Sequence, residues 1–152
     1  MKSLVPMVVA TLLSLPAAAA TPNVEFKNPE GLRKPNNYSH VVVVNRGKLV
    51  IIAGQVGTNE KDELPASFAE QVKQAFANLK IALSAAGATP GNVVKLNYYV
   101  VGLDAEKLQA LRAARDAFID LQHPPASTLV GVETLFRKDL LIEIEAQAVR
   151  QA

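Results

Sequence analysis

The 152-residue chain contains no cysteine. That absence removes disulfide frameworks and thiol chemistry at a stroke. It also excludes a lipid-anchored form of an export signal. Two histidines without a cysteine cannot assemble a structural zinc site. His40 and His123 flank no carboxylate cluster, so each reads as a strand-edge or loop residue. The common catalytic signatures are missing as well: no Gly-x-Ser-x-Gly elbow, no Gly-x-Gly-x-x-Gly and no phosphate loop. Gly54-Gln55-Val56-Gly57 has neither the required spacing nor a following helix. No cofactor is expected. Charge of one sign is lacking too, with 16 basic against 14 acidic residues. Such a balance leaves no electrostatic footprint for nucleic acid or an anionic membrane.

What is present begins with an export-type leader. Lys2 supplies a positive start, Leu4 to Leu15 an apolar run, and Ala18-Ala19-Ala20 a small-residue cleavage site before Thr21-Pro22. The run falls short of the roughly 20 apolar residues that span a bilayer. Residues 1–20 are therefore expected to be a signal peptide and residues 21–152 a single domain, periplasmic or secreted, with no membrane anchor after cleavage. Losing Lys2 leaves 15 basic residues against 14 acidic ones, a formal charge of +1. A domain of about 130 residues carries one core of moderate size.

Hydrophobic periodicity orders the rest. Val41–Val44 and Leu49–Ala53 flank Asn45-Arg46-Gly47 and read as a hairpin, after an irregular lead-in from Asn28 to Asn37. Ser67 opens a helix with Glu70 completing a capping box, and Phe68, Val72, Phe76, Leu79 and Leu83 share one face. Gly87 is placed to stop it. Val93–Val101 is a strand reached by a crossover, so it should run parallel to the strand it joins. Asp104 caps a second helix with Leu108, Leu111, Phe118 and Leu121 on its apolar face, and His123-Pro124-Pro125 ends it. Two apolar strands around Phe136-Arg137-Lys138-Asp139 close the chain as a hairpin, with Ile142 and Ile144 alternating against Glu143 and Glu145. The order ββ-α-β-α-ββ predicts an α+β fold, a mixed sheet with two helices packed on one face. The other face, read as carrying Val41, Val43, Ile51, Val94, Leu96 and Val130 or the alternating set, needs a partner. With 49% hydrophobic and only 5% aromatic residues, the chain suits an oligomer that buries an aliphatic sheet face.

The segment Pro124–Ala146, PPASTLVGVETLFRKDLLIEIEA, resembles the C-terminal signature of the RidA family, the reactive intermediate deaminases formerly called the YjgF group. The likeness extends from Tyr38 to Val149 through Tyr38-Ser39-His40, Ala53-Gly54-Gln55, Ala75 to Gly87, Val93-Val94-Lys95, Ala117-Phe118 and Ile142-Glu143-Ile144-Glu145-Ala146. It implies a RidA-like, chorismate-mutase-like fold and a homotrimer with small-molecule pockets between subunits. It also implies hydrolysis of reactive enamines and imines, such as 2-aminoacrylate, to a keto acid and ammonia. In that chemistry an Arg clamps the substrate carboxylate by a two-pronged hydrogen bond. A Glu on the last strand positions or activates water, and a Tyr closes the pocket.

Carried onto this chain, the Glu is Glu143 and the Tyr is Tyr38, but the Arg position is Ser127. The usual Asn of the second helix is Arg112, and the Cys two residues beyond the Arg is Leu129. Deaminase activity on 2-aminoacrylate is therefore in doubt at the sequence level. Ser127 and Thr128 would line the pocket with hydroxyls and favour a neutral or weakly polar ligand over an anion. Arg137 lies ten residues from Ser127, roughly 33 Å along an extended strand, too far to serve the same pocket. Arg112 is the candidate replacement, or else a solvated helix residue. Glu143 is a base, or an outward strand residue like its twin Glu145. Three readings stand: an exported hydrolase of C–N bonds, a non-catalytic metabolite binder, and a structural or partner-binding trimer.

Overall fold

The computed structural model describes residues 23–150, so the expected leader lies outside the described residues. Its elements are β1 (Val24–Lys27), β2 (Val41–Val44), β3 (Lys48–Val56), α1 (Phe68–Ala85), a 3₁₀ turn at Pro90–Asn92, β4 (Val93–Val101), α2 (Ala105–Phe118), β5 (Ala126–Val132) and β6 (Ile142–Arg150). The expected ββ-α-β-α-ββ order is present, preceded by one further strand.

Helix ends follow local chemistry. The Ser67 hydroxyl accepts from the Glu70 amide at 3.3 Å and donates to its carboxylate at 2.8 Å. At the other end Gly87, at φ 68°, takes the left-handed position. There Gly87 N donates to Ser84 O and Ala88 N to Leu83 O, each at 2.9 Å, which satisfies carbonyls the helix leaves unpaired. Asp104 caps α2 through the Lys107 amide at 2.8 Å. α2 ends at Phe118, before Leu121, which is exposed and not part of the apolar face.

Four strands form the main sheet in the order β3-β6-β4-β5. The crossover through α2 makes β5 parallel to β4, while β6 runs antiparallel to both β3 and β4. Two expected hairpins do not form. β2 pairs antiparallel with β1 in a separate two-stranded sheet, and β6 inserts between β3 and β4 instead of folding back on β5. β4 and β6 are the central strands, and both supply the small and β-branched side chains that a strand between two neighbours buries.

The core lies between that sheet and the helices. Val72, Ala75, Leu79 and Leu83 of α1 pack with Leu111 of α2 onto Ile52, Leu96, Val100, Ile142, Ile144 and Ala148. Burying each large aliphatic side chain stabilises by about 1.5–3 kcal/mol. Gln71, 1% exposed, is a buried polar latch. Its amide donates to Pro65 O and Asp139 O at 3.0 and 3.1 Å and accepts from Leu141 N at 2.8 Å, tying two loops to α1.

The opposite sheet face is bare and more polar than the aliphatic surface expected from composition. Leu96 and Val94 are buried. The exposed Ile51 and Val130 share the bare face with Lys95, Asn97, Tyr99, Thr128, Glu143, Glu145 and Gln147. Among the described residues, no helix is long and apolar enough to cross a membrane.

Candidate functional site

Pairing of β4 with β5 decides where the candidate residues go. Leu96 sits beside Ser127 and Tyr98 beside Leu129, on the helix side of the sheet, whereas Asn97 sits beside Thr128 on the bare side. The segment before β2 joins them. Ser39 N donates to Pro125 O at 3.0 Å and its hydroxyl to Pro124 O at 2.7 Å, forming an isolated parallel bridge with Ala126. That docking brings Tyr38 beside the start of β5.

Here a cavity of about 170 Å³ opens between α2, β5 and the lead-in loop, lined by Arg33, Tyr38, Tyr98, Arg112, Arg115 and Ser127 among others. Its size is below the ~300–1,000 Å³ of drug-sized pockets, so it suits a small metabolite. Three of the proposed binding residues, Tyr38, Arg112 and Ser127, thus meet in one place. Thr128 does not join them. It points to the bare face, where its hydroxyl accepts from Lys95 Nζ at 2.6 Å. Arg137 is elsewhere too, paired with Asp62 and Asp139 at 2.8 and 2.9 Å.

Sequence reasoning missed Arg33, Asn36, Tyr98 and Arg115 in the cavity lining, and Asn37 beside it. Arg115 is 7% exposed, with Nε donating to Asp116 Oδ1 at 2.8 Å and Nη2 2.7 Å from the same oxygen. Asn37, at φ 52°, donates from Nδ2 to Asp116 Oδ2 at 2.8 Å and so ties the lead-in loop to this pair. Tyr98 is 2% exposed and its ring packs on Phe76. Burial pushes its phenol pKa strongly upward, with the Arg115 charge opposing, so the hydroxyl stays protonated. Ser127 faces that hydroxyl, yet no hydrogen bond of acceptable geometry satisfies it. The signal for Arg115 was its spacing: four residues after Leu111 and three before Phe118, it interrupts an apolar stripe.

The cavity is therefore cationic. Arg33, Arg112 and Arg115 all line it, and among the described residues neither Arg33 nor Arg112 has an acidic partner. The hydroxyl-lined pocket for a neutral ligand, expected from Ser127 and Thr128, is replaced by one suited to an anion.

Glu143 lies on the bare sheet face, opposite Tyr99 and Val56, and not in this cavity. A Cβ at Gly54 would overlap its carboxylate, so that glycine makes the space the side chain occupies. Its twin differs from it. Glu145 accepts from Asn97 Nδ2 and from the Tyr99 hydroxyl, each at 3.1 Å, while Glu143 has no side-chain partner among the described residues. Burial raises the Glu143 pKa from 4.5, and the Glu145 charge adds to the rise. A partly buried carboxyl with a raised pKa and free oxygens is the form a general base takes.

A second hollow, about 550 Å³, runs between α1 and α2 and is lined largely by alanines, with Lys73, Lys80, Phe76 and Phe118. Its lining holds no acid or hydroxyl nucleophile.

Comparison with known proteins follows the same outline. The family described as Endoribonuclease L-PSP matches residues 31–150. The 2-iminobutanoate/2-iminopropanoate deaminase of Escherichia coli K12 is 36% identical over 115 residues, covering 74% of this chain and 88% of the relative. A RutC family protein of Haemophilus influenzae is 35% identical over 116 residues, with 74% and 87% coverage. Among solved structures, a Rid-family protein of unknown function from Yersinia pestis superposes with a TM-score of 0.77 at 40% identity, covering 84% of this chain and 99% of that one. The YjgF gene product of Escherichia coli gives 0.60 at 38% identity, with 71% and 85% coverage.

Proposed function

We propose, from the premise that this chain belongs to the Endoribonuclease L-PSP family, the RidA/YjgF group, that it is an exported homotrimeric hydrolase of small 2-imino acids. In it the anion clamp has moved from position 127 to α2. The carrying observation is the cavity in which Ser127 is surrounded by Arg33, Arg112 and Arg115. Where the family pattern has a guanidinium on β5, this chain has Ser127 there and arginines of α2 lining the same hollow. Arg112 takes the substrate carboxylate, since it lines the cavity and has no acidic partner among the described residues. Tyr38 closes the mouth.

Glu143 completes the site from a neighbouring subunit. The bare, partly polar sheet face that carries it has no helix over it, and an oligomer built on that face brings Glu143 of one copy toward the cavity of the next. There the carboxylate takes a proton from water as the water oxygen attacks the imine carbon. The same carboxyl returns that proton to nitrogen, giving the carbinolamine. It then relays the carbinolamine hydroxyl proton to the nitrogen, so that the C–N bond breaks, ammonia leaves and the C–O bond becomes the ketone carbonyl. One water is consumed, and no oxidant or cofactor is involved.

The test is release of keto acid from 2-iminopropanoate generated in situ, followed alongside light scattering. A trimeric protein that turns over and loses turnover on Glu143→Gln supports the reading. A monomer, or turnover indifferent to Glu143, overturns it. The placement of Glu143 outside the cavity of its own chain favours a second reading, a non-catalytic binder. That reading gains if the trimer binds small carboxylates but hydrolyses no imine.

A further inference from the structure

Charge and hydrogen-bonding capacity in the cavity exceed what one carboxylate uses. Arg33 and Arg112 are exposed and sit at the mouth, whereas Arg115 and Tyr98 are buried at the floor. Three guanidinium charges line a space whose nearest acid, Asp116, is already engaged by Arg115 and Asn37. At the floor the Tyr98 hydroxyl is a buried donor without a hydrogen bond of acceptable geometry, a group that favours a ligand supplying an acceptor. Asp116 accepts a hydrogen bond from Arg115 Nε, whereas the buried Nη2, although 2.7 Å from the same oxygen, has no hydrogen bond of acceptable geometry. Ser127, short and facing Tyr98, leaves open the volume that a long side chain at this position would fill.

From this geometry we infer that the cavity takes a small dicarboxylate: one carboxylate at the mouth on Arg112 and Arg33, the other at the floor on the Tyr98 hydroxyl, Ser127 and Arg115. The inference rests on reading the cavity as the substrate site and names its substrate class, a 2-imino dicarboxylic acid. Depth decides between dianions. The cations and donors form two sets at two levels, which match two separated carboxylates and not a phosphate with both charges on one centre. Size agrees. A space of about 170 Å³ holds roughly six waters at ~30 Å³ each, which fits a three- to five-carbon acid whose outer carboxylate reaches the open mouth.

The experiment is calorimetric titration of the full-length protein with malonate, succinate and glutarate, with propionate and butyrate as monocarboxylates, and with methyl phosphate. Binding does not require turnover, so the result is readable whether or not imine hydrolysis is found. At least one dicarboxylate is expected to bind about tenfold or more tightly than either monocarboxylate, the worth of one added charge-assisted contact at about 1.4 kcal/mol. In Tyr98→Phe, which keeps the ring packing on Phe76, the dicarboxylate-to-monocarboxylate ratio should fall at least about fivefold. Equal affinity for the two classes, tighter binding of methyl phosphate, or a ratio unmoved by Tyr98→Phe each overturns the inference. Efficient hydrolysis of 2-iminopropanoate with no dicarboxylate preference overturns it while leaving the proposed activity standing.

Discussion

Arg112→Ala is the substitution on which the relocated clamp is most exposed. Arg112 lies on the solvent-facing rim of α2, lines the cavity, and has no acidic partner among the described residues. Removing it therefore disrupts no internal ion pair, and surface changes of this kind usually stay within about 0.5 kcal/mol of stability. Its contact with a substrate carboxylate is a hydrogen bond to a charged group, worth about 1.5–3 kcal/mol. At about 1.4 kcal/mol per tenfold, kcat/KM for 2-iminopropanoate should fall about 10- to 100-fold. The melting temperature should hardly move. Adding Ser127→Arg to Arg112→Ala places a guanidinium back on β5 in the same hollow, and part of the loss should be recovered. The assay is keto acid formation from imine generated in situ, with circular dichroism melting as the folding control. Full turnover in Arg112→Ala would refute the clamp and return Arg112 to the role of a solvated helix residue.

Glu143→Gln should abolish turnover, and the unmodified protein should show an acid limb in kcat/KM. Since burial raises the Glu143 pKa and the base must be ionised, activity should fall as pH drops through a value above 4.5, seen in a pH–rate profile. Leu79→Ala, at a fully buried position of α1, should cost about 2–5 kcal/mol in denaturant unfolding without altering the pH profile. Exported protein should begin near Thr21 by mass spectrometry, and recovery of an intact Met1 end would contradict the export reading.

Local signals carried the helices well. Ser67 with Glu70, Asp104 and Gly87 act where their sequence positions placed them, because caps depend on neighbours within a turn. Strand pairing was less legible. Nothing within Ile142–Arg150 states that it will insert between β3 and β4, since that choice is set by which buried faces match across distant segments. Val24–Lys27 is only four residues, too short for the alternation of Val24 and Phe26 to stand out, and it takes Val41–Val44 away from the hairpin that the Asn45-Arg46-Gly47 turn suggested. The cavity was half legible. Tyr38, Arg112 and Ser127 came from family positions, but Ser127 with Thr128 suggested a neutral pocket. Its cationic character depends on Arg115, whose place on an apolar stripe was the clue, and on Arg33 in a loop without periodicity. The register of β5 then separates Thr128 from Ser127, as alternation along a strand requires.

The central claim is a site shared between subunits, with the clamp from one and the base from the next. Arg112→Ala protein, impaired alone, and Glu143→Gln protein, inactive alone, should be mixed, dissociated and reassembled, and the imine turnover measured. Random assortment around a cyclic oligomer gives about a quarter of the interfaces both an intact Arg112 and an intact Glu143, so about a quarter of the unmodified activity should return. No recovery in mixtures whose subunits have demonstrably exchanged would contradict the account.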